Sequence, residues 1–264
     1  VSYRTDLLAA IADVEREKQE LADAQARLLT LQTQAVPDGI DVSVHNGEVD
    51  WAAVKAAGTG FIFTRTSHGD VRDATYTPAR VAALKATGIP WAPYHFASVA
   101  SPDKNRDRDG RIEAGMAIFF AQQHGWVPAG SLPLAYDFEG ESINGQSAAK
   151  CAKHIVQFIR AYAFIIGPTQ AGTPARPVFY TNRSSIDFVA GALSTDDKAL
   201  VGECPLWIAD PDDDPPDAIP SIWSGKGYAF HQFRTTGPYP GVSSANVDVN
   251  HFTGSATELA ALRH

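Results

Sequence analysis

Apolar and polar positions follow two different periods along this chain, and the change of period divides it in two. From about Thr5 to Ala35 there is no Gly or Pro, and Ala, Leu, Glu, Gln and Arg dominate, all strong helix formers. Leu7, Ile11, Val14, Leu21 and Leu28 fall at heptad spacing, while Lys18, Gln25 and Gln32 dilute the seam between them. The pattern predicts one long N-terminal α-helix, roughly 45 Å at about 1.5 Å per residue. Residues 1–36 therefore read as a helical spacer or coiled-coil-like arm, with weak dimerisation through residues 5–35 or packing on the domain body as the alternatives. Val36-Pro37-Asp38-Gly39 ends the helix.

From Gly39 onward short β-rich runs take over. They cover Gly39–Ser43, Gly60–Thr66, Ile89–Ala97, Leu132–Glu139, Pro177–Thr181, Leu206–Ala209, Tyr228–Phe233 and Val247–Phe252. Helical patterns separate the earlier ones at Trp51–Ala57, Pro78–Thr87, Arg111–His124 and Ser147–Ile166. Strands alternating with helices imply a mostly parallel sheet. Eight strand candidates with fewer helices near the end predict an α/β fold over residues 37–264, an irregular TIM-like β/α barrel whose last third departs from the repeat.

Bulk composition narrows the function. The chain has 264 residues, 44% hydrophobic and 20% charged, ordinary values for a globular domain. No apolar run approaches the ~18–20 residues that span a bilayer, so no membrane insertion is expected. The start, Val1-Ser2-Tyr3-Arg4, has neither Met nor a secretory signal, which suggests a piece of a longer polypeptide with flanking domains. A net charge of −8 argues against a nucleic-acid partner. Cys151 and Cys204 read as buried inert thiols, with a disulfide as the alternative.

In a β/α barrel the chemistry sits at the C-terminal ends of the strands. Those ends carry Asp41, Arg65, Tyr94 with His95, Asp137 with Glu139, Tyr180, Trp207 with Asp210, His231 with Gln232, and Asp248 with Asn250. The most informative is Asp137-Phe138-Glu139. Residues two apart on a strand share a face, which places these backbones ~6–7 Å apart. Two carboxyls so close cannot ionise independently, and a proton donor beside a negative charge is what cleavage of a glycosidic bond requires. The alternative is a solvated strand-end carboxylate followed by a helix cap. Aromatic residues among several acids suit a sugar polymer, which offers flat apolar faces and hydroxyls.

Read in order, these segments resemble glycoside hydrolase family 25, the muramidases or Chalaropsis-type lysozymes. The matching motifs are Gly39-Ile40-Asp41-Val42-Ser43 with Gly47 and Val49-Asp50-Trp51, Tyr94-His95-Phe96, Leu134-Ala135-Tyr136-Asp137-Phe138-Glu139, Pro205-Leu206-Trp207-Ile208-Ala209, Gln232, and Val247-Asp248-Val249-Asn250. The resemblance implies a peptidoglycan hydrolase acting on bacterial glycan strands, with no cofactor and no metal. It assigns Glu139 as general acid and Asp137 as its ionised neighbour, which raises the Glu139 pKa. Asp41 and Asp248 complete the acidic set, and Tyr94, Tyr180, Trp207, Gln232 and Asn250 bind sugar. It also implies retention of configuration, with the substrate's acetamido oxygen as a nucleophile in place of Asp137. The helical spacer before such a domain resembles a modular bacteriophage endolysin, made in the host cytoplasm and acting on the cell wall. Hydrolysis of another acetamido-sugar polymer such as chitin, or a catalytically silent glycan-binding module, are the alternatives.

The chain departs from the family pattern at Arg65-Thr66-Ser67-His68-Gly69, where a Lys-Ala-Thr-Glu-Gly-like segment is usual, so His68 or Asp70 is expected to alter a subsite. Asp210 opens an acidic, Pro-broken loop, Asp210–Asp217, at another point of departure. Ser101–Arg111 reads as an enlarged loop. Asn105–Glu113 imitates a calcium loop, but Met116 stands where its bidentate Glu belongs, so a solvated loop and helix start are expected. No H-E-x-x-H, G-x-S-x-G or phosphate-binding Gly loop occurs.

Overall fold

The computed structural model describes residues 11, 13–26, 36–100, 109–169, 171–211, 215–216 and 218–263. Helix α1 covers residues 13–26, and its described side chains are exposed, Ile11, Val14 and Leu21 included. This stretch of the predicted long helix therefore does not lie against the domain body. The rest of that helix falls outside the described residues, as do residues 105–108 of the calcium-like loop and part of Asp210–Asp217.

The body is a closed ring of strands. In chain order it comprises β1 (Gly39–Val42), α2 (Trp51–Ala56), β2 (Ile62–His68), β3 (Val71–Arg72), α3 (Pro78–Ala86), β4 (Trp91–Phe96), α4 (Gly110–Gln123), β5 (Ala135–Asp137), α5 (Gly140–Ile143), α6 (Ala148–Ile166), β6 (Val178–Asn182), α7 (Arg183–Ala190), α8 (Thr195–Val201), β7 (Leu206–Ala209), β8 (Phe230–Arg234), β9 (Asp248–Phe252) and α9 (Ala256–Ala261). All eight predicted strands are present. The order β1-β9-β8-β7-β6-β5-β4-β2 closes through β1–β2 pairing, with the two-residue β3 hung on β2. Ring neighbours among β1, β2 and β4 to β8 run parallel, but β9 is antiparallel to both β8 and β1, and β3 is antiparallel to β2. The connection from β8 to β9 contains no helix, so the chain returns without a crossover and must reverse direction. The irregular last third predicted from the sequence lies here.

Side-chain alternation sorts the core into two layers. Phe61, Phe63, Ala92, Ala135, Val178, Trp207, Phe230 and Phe252 point into the ring and fill it, with Leu259 of α9 among them. Ile40, Val42, Ile62, Trp91, Leu134, Tyr136, Phe179, Leu206, Ile208 and Val249 point outward against the helices. Helix α6 supplies Cys151, Ile155, Phe158, Ile159 and Tyr162 at helical spacing, starts with Ser147 Oγ accepting Lys150 N–H, and stops at Gly167. Gly110 lets α4 approach α6 closely, because a Cβ there would lie 2.1 Å from the His154 carbonyl oxygen. Both cysteines are free and buried, and burial pushes the Cys151 thiol to about 11 and Cys204 to about 12. They are the inert thiols expected. Among the described residues no helix is long and apolar enough to cross a membrane.

Candidate active site

The acids converge because the ring's inward face and its upper rim coincide at each strand end. Strand β5 is shorter than predicted, yet the Phe138 N–H still reaches the Tyr180 carbonyl at 3.0 Å and Glu139 keeps extended dihedrals. Alternation therefore runs on through Asp137 and Glu139, and both side chains enter one cavity of about 390 Å³. Glu139 also occupies the N-cap position of α5, its N–H donating to Ser142 Oγ at 3.2 Å. The helix-cap alternative thus describes its backbone, while its carboxyl faces the cavity. Asp41 arrives from β1. Asp248 arrives at the same rim because β9 is antiparallel and Asp248 is its first residue, paired with Asp41.

The cavity joins Asp41, Asp137, Glu139 and Asp248 to Tyr94, Tyr180, Trp207 and Gln232. It does not include Asn250, which is fully buried. Asn250 Oδ1 accepts the Trp207 indole N–H at 2.8 Å, and Nδ2 donates to Asp41 Oδ2 at 2.9 Å. Its amide is engaged beneath the floor and does not reach the cavity where sugar binding was expected of it. Gln232 works beside it, donating from Nε2 to the same Asp41 oxygen at 3.0 Å and accepting the Tyr180 hydroxyl at 2.9 Å. Trp207 is buried as well, with one face stacked on Phe63 at 4.3 Å between centroids. It forms floor rather than an open platform. Three other strand-end residues turn away. His95 and His231 are buried outside the ring, His231 against the Asp210 carbonyl, and Asp210 does not line the cavity.

Electrostatics follow from burial. Four carboxyls share a small, largely desolvated space, and desolvation favours their neutral forms. Burial pushes Asp137 well above the ordinary carboxylate range, helped by the charges of Glu139 and Asp41 and opposed by Arg65. Asp137 Oδ1 is buried without a hydrogen-bond partner among the described residues. Burial, then the charges of Glu141 and Asp41, pushes Glu139 to about 7. Burial and the Asp41 charge push Asp248 to about 8, and its hydrogen bond to Asp41 keeps the proton on Asp248. Asp41 is raised by burial but pulled back by the Asn250, Gln232 and Asp248 hydrogen bonds. Burial works against the expected division, an ionised Asp137 beside a protonated Glu139. Asp137 lies deeper, so it too is driven toward its neutral form.

Behind this rim stands a buried charged cluster. His95 Nε2 lies 3.0 Å from Glu113 Oε2, and His154 Nε2 lies 3.4 Å from the same oxygen. Ser67 Oγ meets His95 Nδ1, and the Tyr136 hydroxyl meets His154 Nδ1, both at 2.9 Å. The two imidazoles hold the Glu113 carboxyl far below its usual range despite its burial. This network ties β2, β4 and β5 to α4 and α6, directly behind Asp137.

Such an arrangement is a proton donor and a set of carboxylates in an aromatic-floored cleft. The family model of glycosyl hydrolases family 25 matches residues 40–242, a span containing Asp41, Asp137, Glu139, Trp207 and Gln232. This chain belongs to glycosyl hydrolases family 25. It is 28% identical over 231 residues to lysozyme M1 of Streptomyces globisporus, covering 85% of this chain and 70% of that protein. It is 27% identical over 189 residues to the N,O-diacetylmuramidase of Chalaropsis sp., covering 70% and 82% respectively. Among solved structures, the lysozyme of Streptomyces coelicolor superposes with a TM-score of 0.67 at 28% identity, covering 86% of this chain and 96% of that one.

The family 25 cavity also contains residues that sequence reasoning passed over. Ser43, His45, Asn46, Phe96, Glu141, Thr235, Ser244 and Asn246 complete its wall. Glu141 carried a usable signal, since it continues the two-residue spacing of Asp137 and Glu139. Ser244 and Asn246 carried none, because a Ser- and Asn-bearing loop before β9 looks like any turn.

Proposed function

We propose that this family 25 glycosidase is a muramidase, hydrolysing the β-1,4 bond between N-acetylmuramic acid and N-acetylglucosamine in bacterial peptidoglycan. The observation that carries it is the pair on β5: Asp137 and Glu139 face one cavity, and Glu139 keeps its proton to about pH 7. The related lysozyme and N,O-diacetylmuramidase support the same substrate. The chitin and silent-module alternatives have no feature of their own in their favour.

In the proposed reaction the substrate's acetamido N–H donates to the Asp137 carboxyl at the cavity wall. That bond favours the Asp137 carboxylate and passes the proton of the pair to Glu139. Glu139 then protonates the leaving glycosidic oxygen while the acetamido oxygen attacks the anomeric carbon. Water reopens the ring, losing its proton to Glu139, and configuration is retained. Asp41, fixed by Gln232 and Asn250 and sharing a proton with Asp248, steadies positive charge at the sugar. Tyr94, Tyr180 and Trp207 shape the cleft. Residues 37–264 would form the catalytic barrel and 1–36 a spacer, in the manner of a bacteriophage endolysin that lyses its host. The test is release of reducing ends from purified peptidoglycan by wild type and Glu139→Gln, with chitin in parallel. Muropeptides from wild type alone support the reading; equal release by both proteins, or preference for chitin, overturns it.

A further inference from the structure

The acidic cavity does not end at Arg65. The same guanidinium lines a second cavity of about 510 Å³ over β2 and β3, together with Val44, His68, Val71, Arg72 and Asn144. The charge is opposite in kind. Among the described residues its one lining carboxylate, Asp73, is already satisfied: Oδ1 accepts the Thr75 N–H and hydroxyl, and Oδ2 accepts Arg65 Nε at 2.7 Å and the Val44 N–H at 3.2 Å. Asp73 thus fixes one edge of Arg65. Arg72 is exposed and braced, its Nη1 donating to the Tyr76 carbonyl at 3.3 Å and lying 2.6 Å from His124 Nε2. Val44 and Val71 are exposed at 39% and 64%, so apolar surface lies beside the cations. Asn144 adopts a left-handed conformation (φ 37°) at the end of α5, which places an amide group on the wall five residues after Glu139.

A ligand for this cavity carries a carboxylate for the cations and small apolar groups for the valines. Peptidoglycan has such a group and chitin does not: the lactyl ether of muramic acid, extended by a short peptide of alanine and acidic residues. The four carboxyls of the main cavity offer an anionic arm no counter-charge, and Arg65 opens a cationic route out of it. We infer that this side cavity binds the carboxylate-bearing lactyl-peptide arm of the muramic acid residue, with Arg72 and His68 setting the preference for it. The inference rests on the muramidase reading above. Charge-assisted hydrogen bonds to Arg supply the recognition, and methyl contacts with Val44 and Val71 add to it.

The test compares kcat/KM on soluble peptidoglycan strands with free stem carboxylates against strands whose stem carboxylates have been converted to amides. The wild type should favour the free acids. Arg72→Gln should lower that ratio about ten-fold, the loss expected for one charge-assisted hydrogen bond. Because Arg72 also braces the loop, a second pair of variants works at an exposed side chain: Val71→Asp should lower the ratio and Val71→Lys should raise it. A wild type that cleaves both strands equally, or a ratio that none of these variants moves, overturns the side-cavity assignment and leaves the muramidase reading intact. A wild type that cleaves neither strand overturns both.

Discussion

Replacing Glu139 by Gln should make the protein more stable in alkali while abolishing its activity. An ordinary Glu titrates near 4.5, and burial beside Asp41 and Glu141 pushes Glu139 to about 7. A folded-state pKa above the unfolded one means that ionisation opposes folding. Below about pH 4.5 the side chain is neutral in both states and the substitution changes little. Between there and pH 7 the unfolded chain ionises and the folded one does not, and the penalty grows. Above pH 7 it is complete, about 3 kcal/mol at ~1.4 kcal/mol for each pH unit that separates the two titrations. Gln keeps the shape and a polar tip without the charge. It also relieves Asp137, one of whose causes of elevation is the Glu139 charge. Chemical denaturation of both proteins at pH 4 and pH 8.5 measures the difference. Glu139→Gln should equal wild type at pH 4 and exceed it by about 2–3 kcal/mol at pH 8.5. A difference that does not change with pH, or a variant less stable in alkali, would refute the picture of a desolvated acid cluster.

Other consequences follow from the same geometry. Activity should fall about ten-fold per pH unit above pH 7 as Glu139 loses its proton, and Glu141→Gln should move that limb toward lower pH, read from kcat/KM profiles at low salt. Glu113→Gln should cost on the order of 3 kcal/mol at neutral pH, because it strands His95 and His154. The Glu113 pKa is depressed, so its contribution is present above the ordinary Glu pKa and is lost as pH falls below it, and the deficit of the variant should shrink in acid melts. Gly110→Ala should lower the melting temperature with a loss of about 1–3 kcal/mol, since its methyl group meets the α6 backbone. Asn250→Leu should reduce kcat more than it changes KM, because it removes a donor from Asp41 without touching the cavity surface.

The fold was largely legible because its strands are buried and their apolar runs are bounded by Gly and Pro. Every strand of the ring lies where those runs fall, and α6 is readable from the spacing of Cys151, Ile155, Phe158 and Tyr162. Helices α7, α8 and α9, of six to eight residues, carry little periodic signal and escaped, although the equally short α2 was read from Trp51–Ala57. The direction of β9 escaped for another reason. A strand's residues do not record which way it runs; that is set by the connection, and the segment between β8 and β9 carries no helix to cross over.

That reversal also limits what could be read of the site. Strand alternation alone puts Asp137 with Glu139, and strand ends alone suggest Asp41. Asp248 reaches the rim only because β9 enters from the top, as the first residue of its strand rather than the last. The same reversal puts Asn250 two residues deeper, where it meets Asp41 from 209 positions away, while Gln232 reaches the same oxygen across 191. These contacts decide which acids hold protons. Asp41 has two amide donors and is pulled back toward ionisation, while Asp137, two residues from the proposed proton donor, has a buried oxygen with no partner among the described residues. A sequence motif names the acids but cannot rank them, because rank depends on desolvation and on donors supplied from across the ring. The inward row of one antiparallel strand thus does double duty, completing the acidic set with Asp248 and holding Asp41 ready to carry charge with Asn250.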